Sequence, residues 1–402
     1  MNQKDKNMDL IARPERLPSS TYVLSLCQAL NLTAAVVSVT IAALAGEKMA
    51  PGPAWATLPY GVQFAAVALL TYPASVFMRR FGRKPGFLCG AMTLIVAGCV
   101  GFFAVQQSSF VGLVLAHGLL GVYVSFANFY RFAAVDQLPA PLRPRGVSLV
   151  VAGGVLAAFI GPWISLGLGN VDGYAPYSLC YASFAGIGIS TIALVGVWRQ
   201  GRGIEATPVH MEAARKAPVT AAILAAIFTS ASAYMVMNLL MVQASLVMDS
   251  MGVGFHASTL AIQAHVIAMF LPSLVTGLII GKFGFRLTLC AGFLLLIATT
   301  LLALFGSGGF EAMLIGLILL GIGWNLSYIG GGALLAKYLT EENRHSMQGI
   351  NDSVIAICAT AGAFSPALLQ TLIGWKNTNL LCLLLCIIGF VMVWRATKAT
   401  LT

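Results

Sequence analysis

The chain has 402 residues, of which 58% are hydrophobic and only 9% charged, against roughly 25% charged in an ordinary soluble domain. A chain this apolar cannot cover itself with polar surface in water, so a soluble globular protein is excluded and lipid is its solvent. The net charge of +10 does not signal nucleic acid, because the basic residues sit in short loops between apolar runs rather than in one patch.

Residues 1–20 are polar. The first apolar run, 21–45, is too long for a signal-peptide core and lacks a convincing cleavage site, so it reads as a retained first span. With about 20 apolar residues needed per crossing, further spans are predicted at 55–78, 86–105, 110–136, 146–168, 174–198, 218–248, 257–281, 286–306, 310–337, 349–372 and 377–396. The long polar segment 199–217, RQGRGIEATPVHMEAARKA, reads as a linker at the centre of the chain. The expected fold is therefore an all-α integral membrane protein of twelve transmembrane helices. It divides into an N-terminal six-helix bundle (1–198), a cytoplasmic linker (199–217) and a C-terminal six-helix bundle (218–402). The eight cysteines all fall inside apolar runs and form no Cys-x-x-Cys pair, so no disulfide framework and no metal site are expected.

Lysine and arginine are retained on the cytoplasmic side of short loops. With the N-terminus inside, every basic residue except Lys48 and Lys376 falls inside, which supports both the twelve spans and cytoplasmic termini. The expected location is a cell membrane, the inner membrane of a bacterium. The halves also echo each other. Phe81-Gly82-Arg83 matches Phe283-Gly284-Phe285, Ala29-Leu30-Asn31-Leu32 matches Val236-Met237-Asn238-Leu239, and Gly118-Leu119-Leu120-Gly121 resembles Ile318-Leu319-Leu320-Gly321. Three matches in one order point to a duplicated six-helix unit, with a substrate site between the repeats near the bilayer midplane.

The loop between spans 2 and 3 reads SVFMRRFGRKPGF. It resembles the loop motif of the major facilitator superfamily, Gly-x-x-x-Asp-x-x-Gly-Arg-Arg/Lys, at Gly82, Arg83 and Lys84. With twelve spans, a central linker and a weaker echo at 277–286, the resemblance covers the chain. Physically, a glycine permits the tight turn, and basic side chains can bond helix-end carbonyls or a carboxylate on a neighbouring helix. The resemblance implies that these residues close the cytoplasmic gate between the halves. The alternative is that the charges only set topology. The sequence departs from the motif: Arg79 stands where an acid is usual and Ser75 where the first glycine is usual. The acid's usual partner lies near the start of span 11, where this chain has Asp352, so the contact is expected with reversed polarity, Arg79 to Asp352. Asp136 matches the family's second gate acid and is the expected partner of Arg83. His117-Gly118-Leu119-Leu120-Gly121 resembles the Arg-x-x-x-Gly of the drug–proton antiporter branch, with histidine at the basic position. Gly161-Pro162 in span 5 is a further partial match. These two matches tilt the expectation toward export.

An ionisable group inside a span is a functional candidate because burial in lipid is unfavourable. No carboxylate lies mid-span, so a mid-membrane acidic proton carrier is absent; Glu47, Asp172, Asp249 and Glu311 fall at outer ends. His117 and His265 remain as proton-coupling candidates, or as neutral histidines bonded to a neighbouring helix. Arg131 either pairs with a carboxylate such as Asp136, snorkels to the interface, or meets an anionic substrate. In the superfamily, spans 1, 4, 7 and 10 line the cavity. The resemblance therefore implies a substrate cavity built from Gln28, Asn31, Asn128, Tyr130, Arg131, Tyr234, Asn238, Trp324, Asn325 and Tyr328. Amides and aromatics suit a planar or amphipathic organic solute, though any of them can instead join helices.

The expected function is secondary active transport of a small organic solute by alternating access. It would be coupled to protons or another ion, with export slightly favoured over uptake of a vitamin or organic acid. A transporter-like membrane sensor that moves nothing is the alternative from another class. No Walker, His-Glu-x-x-His or Gly-x-Ser-x-Gly motif appears, so no enzyme, cofactor or metal is expected. The expected partners are the solute, a coupling ion and the bilayer, with no nucleic acid; the protein is expected to be a monomer.

Overall fold

A computed structural model describes residues 17–136, 138, 142–199, 220–306, 308–339 and 344–397. Among them every regular element is a helix, as a chain in lipid requires, because each backbone polar group must be satisfied within its own segment. Eleven of these helices are long and apolar enough to cross a membrane. The spans are α1 (Ser19–Met49), α2 (Leu58–Phe81), α3 (Arg83–Gln106), α4 (Phe110–Ala127, resuming as Tyr130–Asp136), α5 (Arg143–Leu168) and α6 (Ser178–Val197). The second set is α7 (Ala221–Ser250), α8 (Phe255–Phe270, resuming from 273), α9, α10 (Phe310–Tyr338), α11 (Arg344–Leu372) and α12 (Gly374–Ala396). The helix Ser273–Phe305 breaks at Gly284 (φ 76°), so 273–283 completes α8 and 285–305 is α9.

Two expectations are corrected. Spans 4 and 8 are not continuous: α4 stops at a turn over 128–129 and α8 at 271–272, where Pro272 cannot supply the helical N–H. Arg83 and Lys84 lie in the first turn of α3 rather than in a loop. The linker at 200–217 and both chain ends lie outside the described residues.

The repeat is visible in packing. Gly82 (φ 95°) and Gly284 (φ 76°) make the same reversal before α3 and α9, a conformation that favours glycine. Gly121 of α4 lies against the Gln63 carbonyl and Ala66; Gly321 of α10 lies against the His265 carbonyl and Ala268. A Cβ at either glycine would collide with backbone, so both α2–α4 and α8–α10 rely on a missing side chain for close approach. Lys84 Nζ donates to the carbonyls of Gly196 (2.7 Å) and Trp198 (3.1 Å) at the end of α6. Its counterpart Arg286 lies 3.6 Å above the Trp394 ring at the end of α12. These basic residues therefore bind the end of the last helix of their own bundle.

The bundles meet at the end opposite the 79–84 and 282–286 turns. Thr57 Oγ1 donates to the Phe364 carbonyl (3.0 Å) and accepts from Ala367 N (3.3 Å) at the Pro366 kink of α11. Phe364 fills the notch at Gly61, Phe270 that at Gly154, and Phe255 that at Gly169. Toward the basic end the same helix faces separate: Leu69 and Tyr72 on α2 are 74% and 76% exposed, and Ile357 on α11 is 66% exposed. By helical spacing they continue the stripes begun by Gly61 and Phe364. The two bundles thus close at one end and part toward the basic end.

Candidate functional site

Where the bundles converge, aromatic side chains collect. Trp324 and Tyr328, one turn apart on α10, stack with ring centroids 4.8 Å apart and planes 10° from parallel. Tyr234 of α7 stands edge-on to both, at 5.7 and 5.4 Å. Phe270, at the break in α8, meets Trp324 at 6.4 Å. From the other bundle, Phe64 of α2 reaches Tyr234 (6.5 Å) and packs on Tyr60 (5.1 Å). Four helices from both halves therefore build one ring-lined cradle, whose faces suit a planar aromatic guest.

Among the described residues, two buried polar atoms of these spans, the Trp324 indole Nε1 and Asn31 Oδ1, lack partners. Asn31 Nδ2 reaches only Gln28 Oε1, at 3.5 Å. A buried donor or acceptor left unmade is unfavourable by about 1–3 kcal/mol, so a guest able to accept from the indole or donate to the amide gains directed contacts. At the basic end, Arg131 of α4 and Asp352 of α11 both lie within electrostatic reach of the Tyr328 hydroxyl. Arg131 is exposed, with its guanidinium 4.8 Å over Phe132.

The other expected cavity residues are placed differently. Tyr130 is fully buried inside the N-terminal bundle, 4.6 Å from the Phe87 ring. Asn325 is wholly engaged: its Nδ2 donates to the Met269 carbonyl (2.6 Å) and Ser273 Oγ (2.7 Å), and its Oδ1 accepts from Thr276 (2.6 Å). It braces the break in α8 against α10. Asn238 donates to the Ala359 carbonyl (3.1 Å) and joins α7 to α11. Asn128 caps α4 at its turn.

Both histidines are buried. His117 Nδ1 donates to Gln63 Oε1 (3.0 Å), which also accepts from Ser38 Oγ (2.7 Å), and His117 Nε2 accepts from the Tyr181 hydroxyl (2.9 Å). This network, written here for the neutral ring, ties α1, α2, α4 and α6 together. His265 occupies the repeat position of Gln63; its Nδ1 donates to the Leu317 carbonyl (2.7 Å), and its Nε2 has no partner among the described residues. The expected gate pair of Arg79 and Asp352 is not formed in this conformation. Arg79 and Asp352 are both exposed, Asp352 accepts from Asn351 Nδ2 (3.1 Å), and no ion pair joins Arg79 to it. The side chain of Asp136 lies outside the described residues.

Phe64, Phe270, Gln63 and Tyr181 escaped the sequence reading. Phenylalanines in a span resemble lipid-facing residues. Gln63, an amide in mid-span, was the signal available for the histidine network.

The sequence signature of the Major Facilitator Superfamily matches residues 226–401. The chain is 30% identical over 366 residues to the riboflavin transporter RfnT of Brucella anthropi, spanning 89% of this chain and 90% of that protein. It is 27% identical over 376 residues to the uncharacterized transporter YdeG of Bacillus subtilis, 88% of this chain and 86% of that one. Among solved structures, a bacterial homolog of the human lysosomal transporter Spinster, inward-facing and unoccupied, superposes with a TM-score of 0.71. That match has 14% identity and covers 94% of this chain and 96% of that one. The human organic anion transporter MFSD10 superposes at 0.65, again at 14% identity, over 94% and 100% of the chains.

Proposed function

The chain belongs to the major facilitator superfamily of membrane transporters, and on that premise we propose that it takes up riboflavin, or a solute with a similar fused ring system, by alternating access. The observation that carries the reading is the aromatic cradle shared by the two bundles. Trp324, Tyr328, Tyr234, Phe270 and Phe64 pack ring on ring where the two bundles meet. An isoalloxazine is planar, apolar on its faces and rich in acceptors at its edge. Stacking would hold the faces, and the free Trp324 Nε1 would donate to an edge acceptor. The riboflavin transporter of B. anthropi supports the same solute, and a vitamin suits uptake better than the export that the antiporter-like motifs favour.

If the basic end is cytoplasmic, the state described is inward-facing, with the outer end sealed by Thr57 against α11. In the opposite state the basic end closes, and Arg79 and Asp352 become the reversed ion pair of the gate. Arg131 at the inner mouth favours a second reading, an organic anion, because an arginine is charged at every working pH. A bacterium that lacks riboflavin synthesis and its own transporter tests the proposal. Expression of this protein is expected to restore growth on limiting riboflavin. Protein in the membrane without growth or riboflavin entry refutes the substrate; inhibition of entry by organic anions but not by flavins selects the second reading.

A further inference from the structure

A separate cavity of about 250 Å³ lies wholly within the C-terminal bundle, away from the cradle and toward the end opposite the basic loops. Its walls are Leu240, Ala244 and Val247 of α7, Leu302 and Ala303 of α9, and Ala312, Met313 and Leu317 of α10, with Trp375 and Lys376 of α12 at its mouth. The space exists because the facing positions are small: Ala303, Ala312 and Gly316 leave room that leucines would fill, and a Cβ on Gly316 would meet only Leu302, at 3.9 Å. Its polar wall residue, Thr299, is already spent on the carbonyls of Leu295 (3.0 Å) and Gly316 (3.3 Å). Most of the remaining wall is aliphatic side chain, so an apolar guest suits it best. From Leu240 to Met251 the cavity follows α7 for roughly 16 Å at 1.5 Å per residue, so it is long as well as apolar.

The mouth has the opposite character. Lys376 is exposed, has no ion-pair partner among the described residues, and stands beside Trp375, a side chain favoured where hydrocarbon meets headgroups. Glu311, in the first turn of α10, and Asp249, two residues before the cavity-lining Met251, put carboxylates at the same end. A cation beside carboxylates complements a zwitterionic headgroup. We infer that this cavity holds one acyl chain of a phosphatidylethanolamine, with its phosphate at Lys376 and its ammonium toward Glu311. The site is independent of the transported solute.

The test uses full-length protein purified in detergent, loaded with palmitoyl-oleoyl phosphatidylethanolamine, and native mass spectrometry to count retained lipid. One tightly held lipid per protein is expected. Ala312→Phe and, as a milder filling change, Ala303→Leu should abolish retention while the variants keep wild-type solute binding. Lys376→Gln should weaken it about threefold, the size of an exposed ion pair. Retention by both filling variants at the wild-type level overturns the site. Equal displacement of the lipid by dodecanoate, which has a chain and a charge but no phosphate, overturns the headgroup assignment.

Discussion

At the scale of single residues, two kinds of polar group divide the work. Those whose bonds are complete hold helices together, and among those left open the proposal assigns Trp324 to the guest. Asn325, Asn238 and His117 belong to the first kind. His117→Gln should therefore lower thermal stability by about 1–3 kcal/mol, because Gln63 and Tyr181 lose the ring that bridges them in an apolar interior. Gradient-driven accumulation per folded molecule should survive. A variant of full stability that exchanges substrate but cannot accumulate it would instead make His117 the proton carrier. Trp324 belongs to the second kind, with an open indole N–H and a stacked ring. Trp324→Ala should weaken substrate binding up to about tenfold, from lost ring contacts, with membrane abundance unchanged; titration of flavin fluorescence reads it directly. Trp324, Tyr328 and Tyr234, picked out because they lie on the helices that the family uses for its cavity, come together as one aromatic cluster. Tyr130 continues the buried face of Tyr123, seven residues earlier, inside the N-terminal bundle, which a list of polar residues on a span could not distinguish from a cavity face.

At the scale of elements, the contacts that close one end are few and local. Thr57 makes two hydrogen bonds across the bundles, both at the Pro366 kink, where the helix of α11 has lost a backbone donor. Thr57→Val keeps the shape and removes both. At about 1 kcal/mol for each bond, the population should shift severalfold or more toward the state open at that end. Spin labels on the ends of α2 and α11 opposite the basic turns should report longer distances; an unchanged distribution would mean that Phe364 in its notch at Gly61 holds the end unaided. The twelve spans were legible from apolar run length, and the repeat from the glycines at 82 and 284, whose positive φ requires that residue. The break in α8 was signalled by Pro272, but the run of apolar residues on either side masked it. The bracing by Asn325 was not legible, since its partners Met269 and Ser273 sit more than fifty residues away.

At the scale of the whole molecule, closure at one end and separation at the other describe one of two states that a transporter must visit. Charge reversal tests the second. Arg79→Asp or Asp352→Arg alone should slow transport by placing like charges across the closing basic end, and the double swap should restore part of the rate; an exposed pair of this kind is worth about 1 kcal/mol or less. Strictly additive losses, read as transport per membrane protein, would leave Arg79 as a topology-setting charge only. The central claim, that the shared aromatic cradle passes a flavin from one side to the other, is tested most directly by counterflow. Purified protein in liposomes preloaded with unlabelled riboflavin should draw labelled riboflavin inward to a transient maximum, and Trp324→Ala should reduce the initial rate at low external concentration. Liposomes containing correctly folded wild-type protein that show no exchange above protein-free controls would contradict it.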